Sequence, residues 1–380
     1  MTFLHIGDLH LGKKQNGFDL LPDLRLILDD ITEICRERRA DALLICGDVY
    51  DAALPPKEAV TLLDDFICGI AALGTAVLMI SGNHDGAERL RFGGRLMSRA
   101  GVYIAGETDS LPVASVTLCG ARFVMLPFLR LADIKKMLGS DAPASPGEAF
   151  SAIFETLPPF SGRQVLLSHQ FYLPPSGDIL RCGSESPTVG GLEAIPSDVL
   201  GMFDYAALGH IHTPQEVGRR TVRYCGSPLK YSASEALSGK SVPFVTLSGD
   251  GAAEVELIPL TPKRDVRVIS GGFEQLMSAA AEASEEDRDH YYYVTLTGGD
   301  EPPDAMTRLR YYYPNIMQLT AAAKGAAEAD MPDVTDDIDD GQSVSGMFGE
   351  FFRRQNGREP DSREKELAEE AEKACAEDQT

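Results

Sequence analysis

Along the first hundred residues the apolar positions alternate between two periods. Short continuous runs, Phe3 to Gly7, Ala42 to Gly47 and Ala76 to Ile80, read as buried strands. Between the first two, Leu21, Leu24, Ile27, Leu28, Ile31, Ile34 and Cys35 recur at helical spacing with charges between them, which predicts an amphipathic helix. A second helix is predicted over about Lys57 to Leu73, behind Pro55 and Pro56. Repeated βαβ units imply a parallel sheet with right-handed crossovers.

From Val102 the pattern becomes one of shorter strands. Val102 to Ala105, Val113 to Leu118 and Arg122 to Leu126 are followed by helices over about Leu131 to Leu138 and Gly147 to Leu157. Strands Gln164 to Leu167 and Tyr205 to Leu208 come next. A hairpin of Phe244 to Leu247 and Glu254 to Ile258 turns on Ser248-Gly249-Asp250-Gly251. Pro259 and Pro262 mark a boundary, beyond which Asp265 to Ile269, Tyr291 to Leu296 and Ile316 to Leu319 read as strands. Phe273 to Ala283 and Pro303 to Arg310 read as the helices between them. The predicted class is α/β: a two-sheet sandwich flanked by helices (1–260), a small α/β capping domain (261–320), an acidic linker (321–341) and a helical tail (342–380).

In the tail, Val344, Met347, Phe348, Phe351 and Phe352 fall on one helix face, with Ser343 as a start signal and Asn356-Gly357 as a stop. A second helix is predicted from Asp361, with Glu364 as its capping-box partner. Such a pair has too little core to fold alone, so it reads as a docking segment for a partner.

Composition narrows the class. The 380 residues are 43% hydrophobic, ordinary for a globular protein, and no apolar run approaches the ~20 residues of a membrane span. The chain opens on a strand, without a basic flank and apolar leader, so a soluble cytoplasmic protein is expected. Seven scattered cysteines without a CxxC pair argue against a disulfide framework or a thiolate zinc site. The net charge is -23, and the last 53 residues, with 17 acidic and 6 basic side chains, carry -11 of it. Contact with nucleic acid would therefore be local, metal-assisted or supplied by a partner. Lys13, Lys14, Lys57, Arg89, Arg91 and Lys230 lie near the loops described next and read mainly as solvated charges.

The chemistry sits where strands end. Asp8 and His10 follow the first strand, Asp48 and Asp51 the second, and Asn83, His84 and Asp85 the third. His169 follows the strand at Gln164, and His210 and His212 the strand at Tyr205. Strand ends are where open α/β sheets place their sites. Asp8, His10, Asp48, Asn83, His169, His210 and His212 are candidate metal ligands, and oxygen and imidazole donors without thiolate favour manganese, iron or zinc. Asp48, central in the set, is the natural bridge between two ions, an arrangement suited to phosphoester hydrolysis. His84, next to Asn83, is the candidate acid, with Asp85 expected to orient its ring. His5 and His290 read as structural.

Asp8-Leu9-His10, Gly47-Asp48-Val49-Tyr50-Asp51, Gly82-Asn83-His84-Asp85, Ser168-His169 and Gly209-His210-Ile211-His212 resemble, in order and spacing, the calcineurin-like metallophosphoesterases. Asp85 and Ala52-Ala53 depart from the Glu and Arg-Gly of phosphoprotein phosphatases. Leu4 to Leu11 (LHIGDLHL), Ala207 to His212 (ALGHIH), Tyr224 to Pro228 (YCGSP) and the FGEFFRRQNGREP stretch from Phe348 are similar to the SbcD family, nuclease subunits of bacterial SbcCD complexes. The resemblance implies an ATP-linked, manganese-dependent 3'-5' double-strand exonuclease and single-strand endonuclease. Its substrates would be DNA ends and hairpins in repair and recombination. The implied partner is an SbcC-type coiled-coil ATPase in a heterotetramer, with a homodimer through the nuclease domain. It further implies that Asp8, His10, Asp48 and His212 hold one ion, that Asp48, Asn83, His169 and His210 hold the other, and that His84 is catalytic. Asp51 stands where some relatives place a second histidine. The competing readings are a stand-alone phosphodiesterase for cyclic nucleotides or other small diesters, which needs neither cap nor tail, and a non-catalytic scaffold for a DNA-end ATPase, which has no use for His84.

Overall fold

Side-chain alternation along β1 (Thr2–Ile6) sends Phe3 and His5 to one face and Leu4 and Ile6 to the other. Both faces are covered, which is why the strand is apolar apart from Thr2 and the buried His5. The computed structural model describes residues 1–106, 110–139, 143, 145–185, 194–249, 252–299, 302–322, 352 and 360–365. It divides into two units, Met1–Ala326 and Ala327–Thr380.

In the first unit β1 is followed by α1 (Leu21–Arg38), β2 (Ala42–Cys46), α2 (Lys57–Ala72), β3 (Ala76–Ile80) and β4 (Val102–Ala105). Next come β5 (Ser115–Leu118), β6 (Ala121–Leu126), α3 (Leu131–Leu138), α4 (Pro146–Glu155), β7 (Gln164–Ser168) and β8 (Tyr205–Leu208). Then follow β9 (Gln215–Val217), β10 (Arg219–Tyr224), β11 (Lys240–Thr246) and β12 (Glu254–Leu260). One six-stranded sheet runs β12-β11-β1-β2-β3-β4 and a second β9-β10-β8-β7-β6-β5. Strands β1 to β4 are mutually parallel, as are β6, β7, β8 and β10.

The sheets pack through Phe3, Leu44, Cys46, Ile80, Phe123, Leu167, Tyr205 and Val245. Phe3 meets Phe123 and Tyr205 edge-on, at ring separations of 5.8 and 5.5 Å. The outer face of the first sheet packs under α1 and α2 through Leu4, Leu43, Ile45, Leu24, Ile31 and Phe66, and that of the second under α3 and α4 through Val124, Leu166, Ile134 and Phe150. This is the expected sandwich. Strand β10 has no counterpart in the sequence reading, because Arg219, Arg220 and Arg223 interrupt its apolar pattern. Arg220 Nη2 donates to Val255 O at 2.6 Å, while Val222 and Tyr224 turn into the core.

Beyond β12, β13 (Val266–Gly271), α5 (Phe273–Glu282), β14 (Tyr291–Leu296), α6 (Ala305–Arg310) and β15 (Ile316–Ala321) build a parallel three-stranded sheet. One face packs with α5 and α6 through Phe273, Leu276, Val294 and Leu309. From the other face Val266, Tyr291, Tyr293 and Met317 join the core under the first large sheet. A polar clamp reinforces the junction. Buried Asp23, in the first turn of α1, accepts from Tyr291 Oη at 2.7 Å and from Arg264 Nη1 at 3.1 Å. Asp23→Ala leaves both donors without their carboxylate and is expected to cost about 3 kcal/mol, measured as a lower urea midpoint.

The described residues hold no helix long and apolar enough to cross a membrane. Cys35, Cys46, Cys182 and Cys225 are buried free thiols. In the second unit, residues 362–365 are helical. Glu364 N donates to Asp361 Oδ1 at 2.9 Å and Asp361 N to Glu364 Oε2 at 2.8 Å, the capping box expected there. Phe352 is helical and half-buried; Val344, Met347, Phe348 and Phe351 lie outside the described residues.

Candidate metal centre

Because both sheets present the carboxyl ends of their parallel strands at one edge, the loops after β1, β2, β3, β7 and β8 meet there. The loops are tightly bent. Asp8, His10, Asp48 and His210 have φ of 52°, 45°, 46° and 100°, a left-handed region costing roughly 1–3 kcal/mol per non-glycine residue. Backbone bonds hold the bends: Asp8 N to Gly47 O at 3.0 Å and His10 N to Asp48 O at 2.9 Å. Gly82 and Gly209 allow the approach. A Cβ on Gly82 would strike Asp48, and one on Gly209 the Cys46 carbonyl.

All seven expected donors come together. His10 Nε2 lies 3.1 Å from His212 Nε2. Asn83 Oδ1 lies 3.1 Å from His169 Nε2 and 3.2 Å from His210 Nδ1. Asp48 Oδ2 lies between the groups, 3.4 Å from His169 Nε2 and 3.7 Å from His10 Nε2. Asp8 accepts the backbone N–H of His210 at 2.9 Å. Among the described residues four clusters meet the spacing of a cation site: Asp8 with His10 and His212, Asp8 with Asp48 and His169, His10 with Asp48 and His84, and Cys182 with His212 and Glu235.

Hydrogen bonds away from the centre fix which ring nitrogens face it. His169 Nδ1 donates to Cys46 O at 2.7 Å, so its Nε2 is the ring nitrogen that faces inward. His212 Nδ1 meets Ser184 Oγ at 2.7 Å, and His10 Nδ1 lies 3.4 Å from the Asp51 carboxylate. Tyr231 donates its hydroxyl to Leu9 O at 2.7 Å and meets both the His10 and His212 rings edge-on. His10 and His212 thus turn ring lone pairs toward one another across 3.1 Å with no proton between them. A divalent cation resolves that opposition, so the donor set fits a metal.

The electrostatics agree. Burial, with the neighbouring His169 charge, lowers His210 to about 3, and burial holds His10 down and His212 well down, so these rings are neutral donors. Burial also opposes charge on His169 and Asp48, yet their mutual attraction outweighs it: His169 rises to about 9 and Asp48 falls well below the usual carboxylate range. Burial drives Asp8 well up.

His84 stands at the rim, its side chain 29% exposed and its Nε2 3.9 Å from Asp48 Oδ2. Its ring is not oriented as expected. Nδ1 donates to Asp51 O at 3.0 Å, whereas Asp85 accepts the backbone N–H groups of Gly82, Tyr50 and Val49 at 2.8, 2.9 and 3.1 Å. Three convergent amides claim that carboxylate, so Asp85 ties the second and third loops together. His5 and His290 are structural: His5 Nδ1 meets Tyr205 Oη at 3.1 Å, and His290 Nδ1 accepts from Asp265 N at 3.2 Å. Lys230 is taken up by Asp265 at 2.9 Å and Ala236 O at 2.7 Å, and Lys13 by Asp51 at 2.9 Å.

The sequence reading missed Ser184, Glu185, Glu235 and Lys240, which surround His212. Glu185 Oε1 accepts the His212 N–H at 2.9 Å, and Lys240 Nζ donates to His212 O at 2.8 Å. The available signal misleads, since Ser232 and Glu235 are spaced like a capping box.

This centre, on a sandwich with two convergent sheet edges, is that of a metal-dependent phosphoesterase. Over residues 1–214 the chain matches the profile of the calcineurin-like phosphoesterases, and it belongs to that family. Residues 262–356 match the SbcD C-terminal domain, described as the type 5 capsule protein repressor C-terminal domain, which bears out the resemblance to the SbcD family. Among solved structures, a dimetal phosphatase from Danio rerio is 15% identical, with 69% of this chain and 99% of that one covered and a TM-score of 0.36. The phosphopantetheinyl hydrolase of Mycobacterium tuberculosis is 16% identical, with 59% and 87% covered and a TM-score of 0.31.

Proposed function

We propose that the chain is the nuclease subunit of a DNA-end-processing complex, cleaving phosphodiesters with two divalent ions, manganese fitting the donors best. The observation that carries this reading is the convergence of seven nitrogen and oxygen donors, with His84 open at their rim, in a chain whose C-terminal part matches the SbcD profile. Asp8, His10, Asp48 and His212 would hold one ion, and Asp48, Asn83, His169 and His210 the other. Such a pair, when bound, activates water and neutralises charge on the phosphoryl group. The chain's own residues do the rest: Asp48 would be shared by both ions, Gly82 keeps the third loop against it, and His84 delivers a proton from Nε2 to the leaving oxygen.

In this reading residues 1–260 form the nuclease domain, 261–320 a capping domain that meets DNA, 321–341 a linker and 342–380 the segment that grips an SbcC-type ATPase in the cytoplasm. A homodimer through the nuclease domain has a surface to use, since Leu54, Phe92 and Leu96 are 70, 87 and 71% exposed. The test is manganese-dependent degradation of a labelled blunt-ended duplex, with and without the ATPase subunit and ATP. Degradation that becomes ATP-responsive with the partner is expected. Turnover of only cyclic or small diesters would move the function to a stand-alone phosphodiesterase.

The tail gives a separate expectation. Replacing Phe348 and Phe351 with Ser is expected to abolish co-purification with the ATPase while hydrolysis of a small diester stays within about twofold, because docking rests on that apolar face. Equal damage to both would refute it.

A further inference from the structure

We infer that Ser184, Glu235 and Lys240 form a relay that fixes His212 as a cation ligand, and so sets the affinity of one of two ion positions. The inference rests on the two-ion reading above. Its residues come from three separate places. Ser184 lies in the turn after Cys182, Glu235 ends a single 3-10 turn (Ala233–Glu235), and Lys240 opens β11.

The chemistry leaves one direction for the hydrogen bonds. Glu235 is almost wholly buried, and its Oε2 sits 2.6 Å from the Lys240 ammonium, so the pair is ionic. Its Oε1 accepts from Ser184 Oγ at 2.8 Å, from Tyr231 N at 3.0 Å and from Ser232 Oγ at 2.9 Å. A carboxylate has no proton to give, so the single Ser184 hydroxyl proton points at Glu235. The Ser184 oxygen is then left to accept, from His212 Nδ1 2.7 Å away and from the Cys182 thiol at 3.0 Å. His212 is thereby held as the tautomer with its Nε2 lone pair facing the centre and His10.

Lys240 braces the same residue from its backbone. Its ammonium donates to His212 O at 2.8 Å and to Ser227 Oγ at 2.8 Å, while Glu185 Oε1 takes the His212 N–H at 2.9 Å. A buried ion pair is weak evidence for stability, because desolvation offsets its attraction. Here it does something an apolar pair could not, which is to impose a direction on the serine hydroxyl. The relay ends on His212 alone. His169 takes its orientation from the Cys46 carbonyl instead. The consequence should therefore be one-sided, weakening the ion at His10 and His212 and sparing the one at His169.

The experiment is a calorimetric Mn2+ titration of the full chain, with bound metal counted after dialysis, for wild type, Ser184→Ala, Ser184→Thr and Glu235→Gln. Unfolding midpoints in EDTA are measured alongside. Wild type is expected to bind two ions. Ser184→Ala and Glu235→Gln are expected to weaken one of them about 10- to 100-fold, the scale of losing an outer partner of a metal-bound imidazole. The other ion should stay within about twofold, the EDTA midpoint of Ser184→Ala should not move while that of Glu235→Gln falls because Lys240 is left as an unpaired buried charge, and Ser184→Thr should restore binding. Two ions weakened together with a lowered EDTA midpoint, or affinities unchanged in both variants, overturn the relay while leaving the two-ion reading in place. A wild type that takes up no Mn2+ overturns both.

Discussion

Replacing His84 with Asn is expected to lower turnover of a DNA phosphodiester by about 10²- to 10⁴-fold, the usual contribution of a positioned general acid, with bound metal unchanged. Asn can keep the donor role of Nδ1, which bonds Asp51 O at 3.0 Å, so the loop should hold its shape. What disappears is Nε2, the ring atom that faces the rim 3.9 Å from Asp48 Oδ2. The His10 ring stands perpendicular to it at 4.9 Å and restricts its tilt. Leaving groups separate two possible roles. An acid matters for the alkoxide leaving from DNA and little for p-nitrophenolate, which departs without a proton. A much smaller loss with a nitrophenyl diester is therefore expected. Equal losses would make His84 a stabiliser of phosphoryl charge, and loss of metal would place it among the ligands.

Asp48→Asn is expected to remove at least one of two bound ions and to reduce turnover by about 10²- to 10³-fold or more, the scale of deleting one preorganised transition-state contact. The residue stands at the middle of the centre. Oδ2 lies within 3.4 Å of His169 Nε2 and 3.7 Å of His10 Nε2, and Oδ1 accepts the His84 N–H at 2.9 Å. Asn keeps an acceptor for that amide, so the third loop should stay in place while the bridging charge is lost. A thermodynamic readout needs no substrate. Mn2+ at 100 times its dissociation constant stabilises a one-site protein by about 2.7 kcal/mol, and this gain should shrink or vanish in the variant. Two ions retained at wild-type affinity would rule out Asp48 as the bridge.

Much of this was legible along the chain. Strands such as Tyr205–Leu208 and Tyr291–Leu296 lie where their apolar runs put them, because a strand buried on both faces must be apolar throughout. The candidate donors were legible for a related reason: each follows directly on such a run, and a polar side chain just past a buried strand lies at the sheet's edge. Strand β10 was not, because its arginines are paid for by contacts with residues far away in sequence, such as Val255 O. The roles of Asp85 and Asp51 were likewise hidden. Adjacency suggested that Asp85 serves the His84 ring, but three amides from two loops converge on its carboxylate, and the ring turns to a carbonyl 33 positions away.

The sequence by itself determined the apolar strands that carry the donors, the order of the donor loops and the absence of thiolates among them, because periodicity and residue type are local properties. Tertiary structure alone decided which nitrogen of each imidazole faces the centre, which carboxylates ionise there, and that Ser184, Glu235 and Lys240 stand behind His212. Those outcomes depend on distances between segments 28 to 202 positions apart and on burial shared by several charges at once, and neither is encoded in the spacing of residues along one strand.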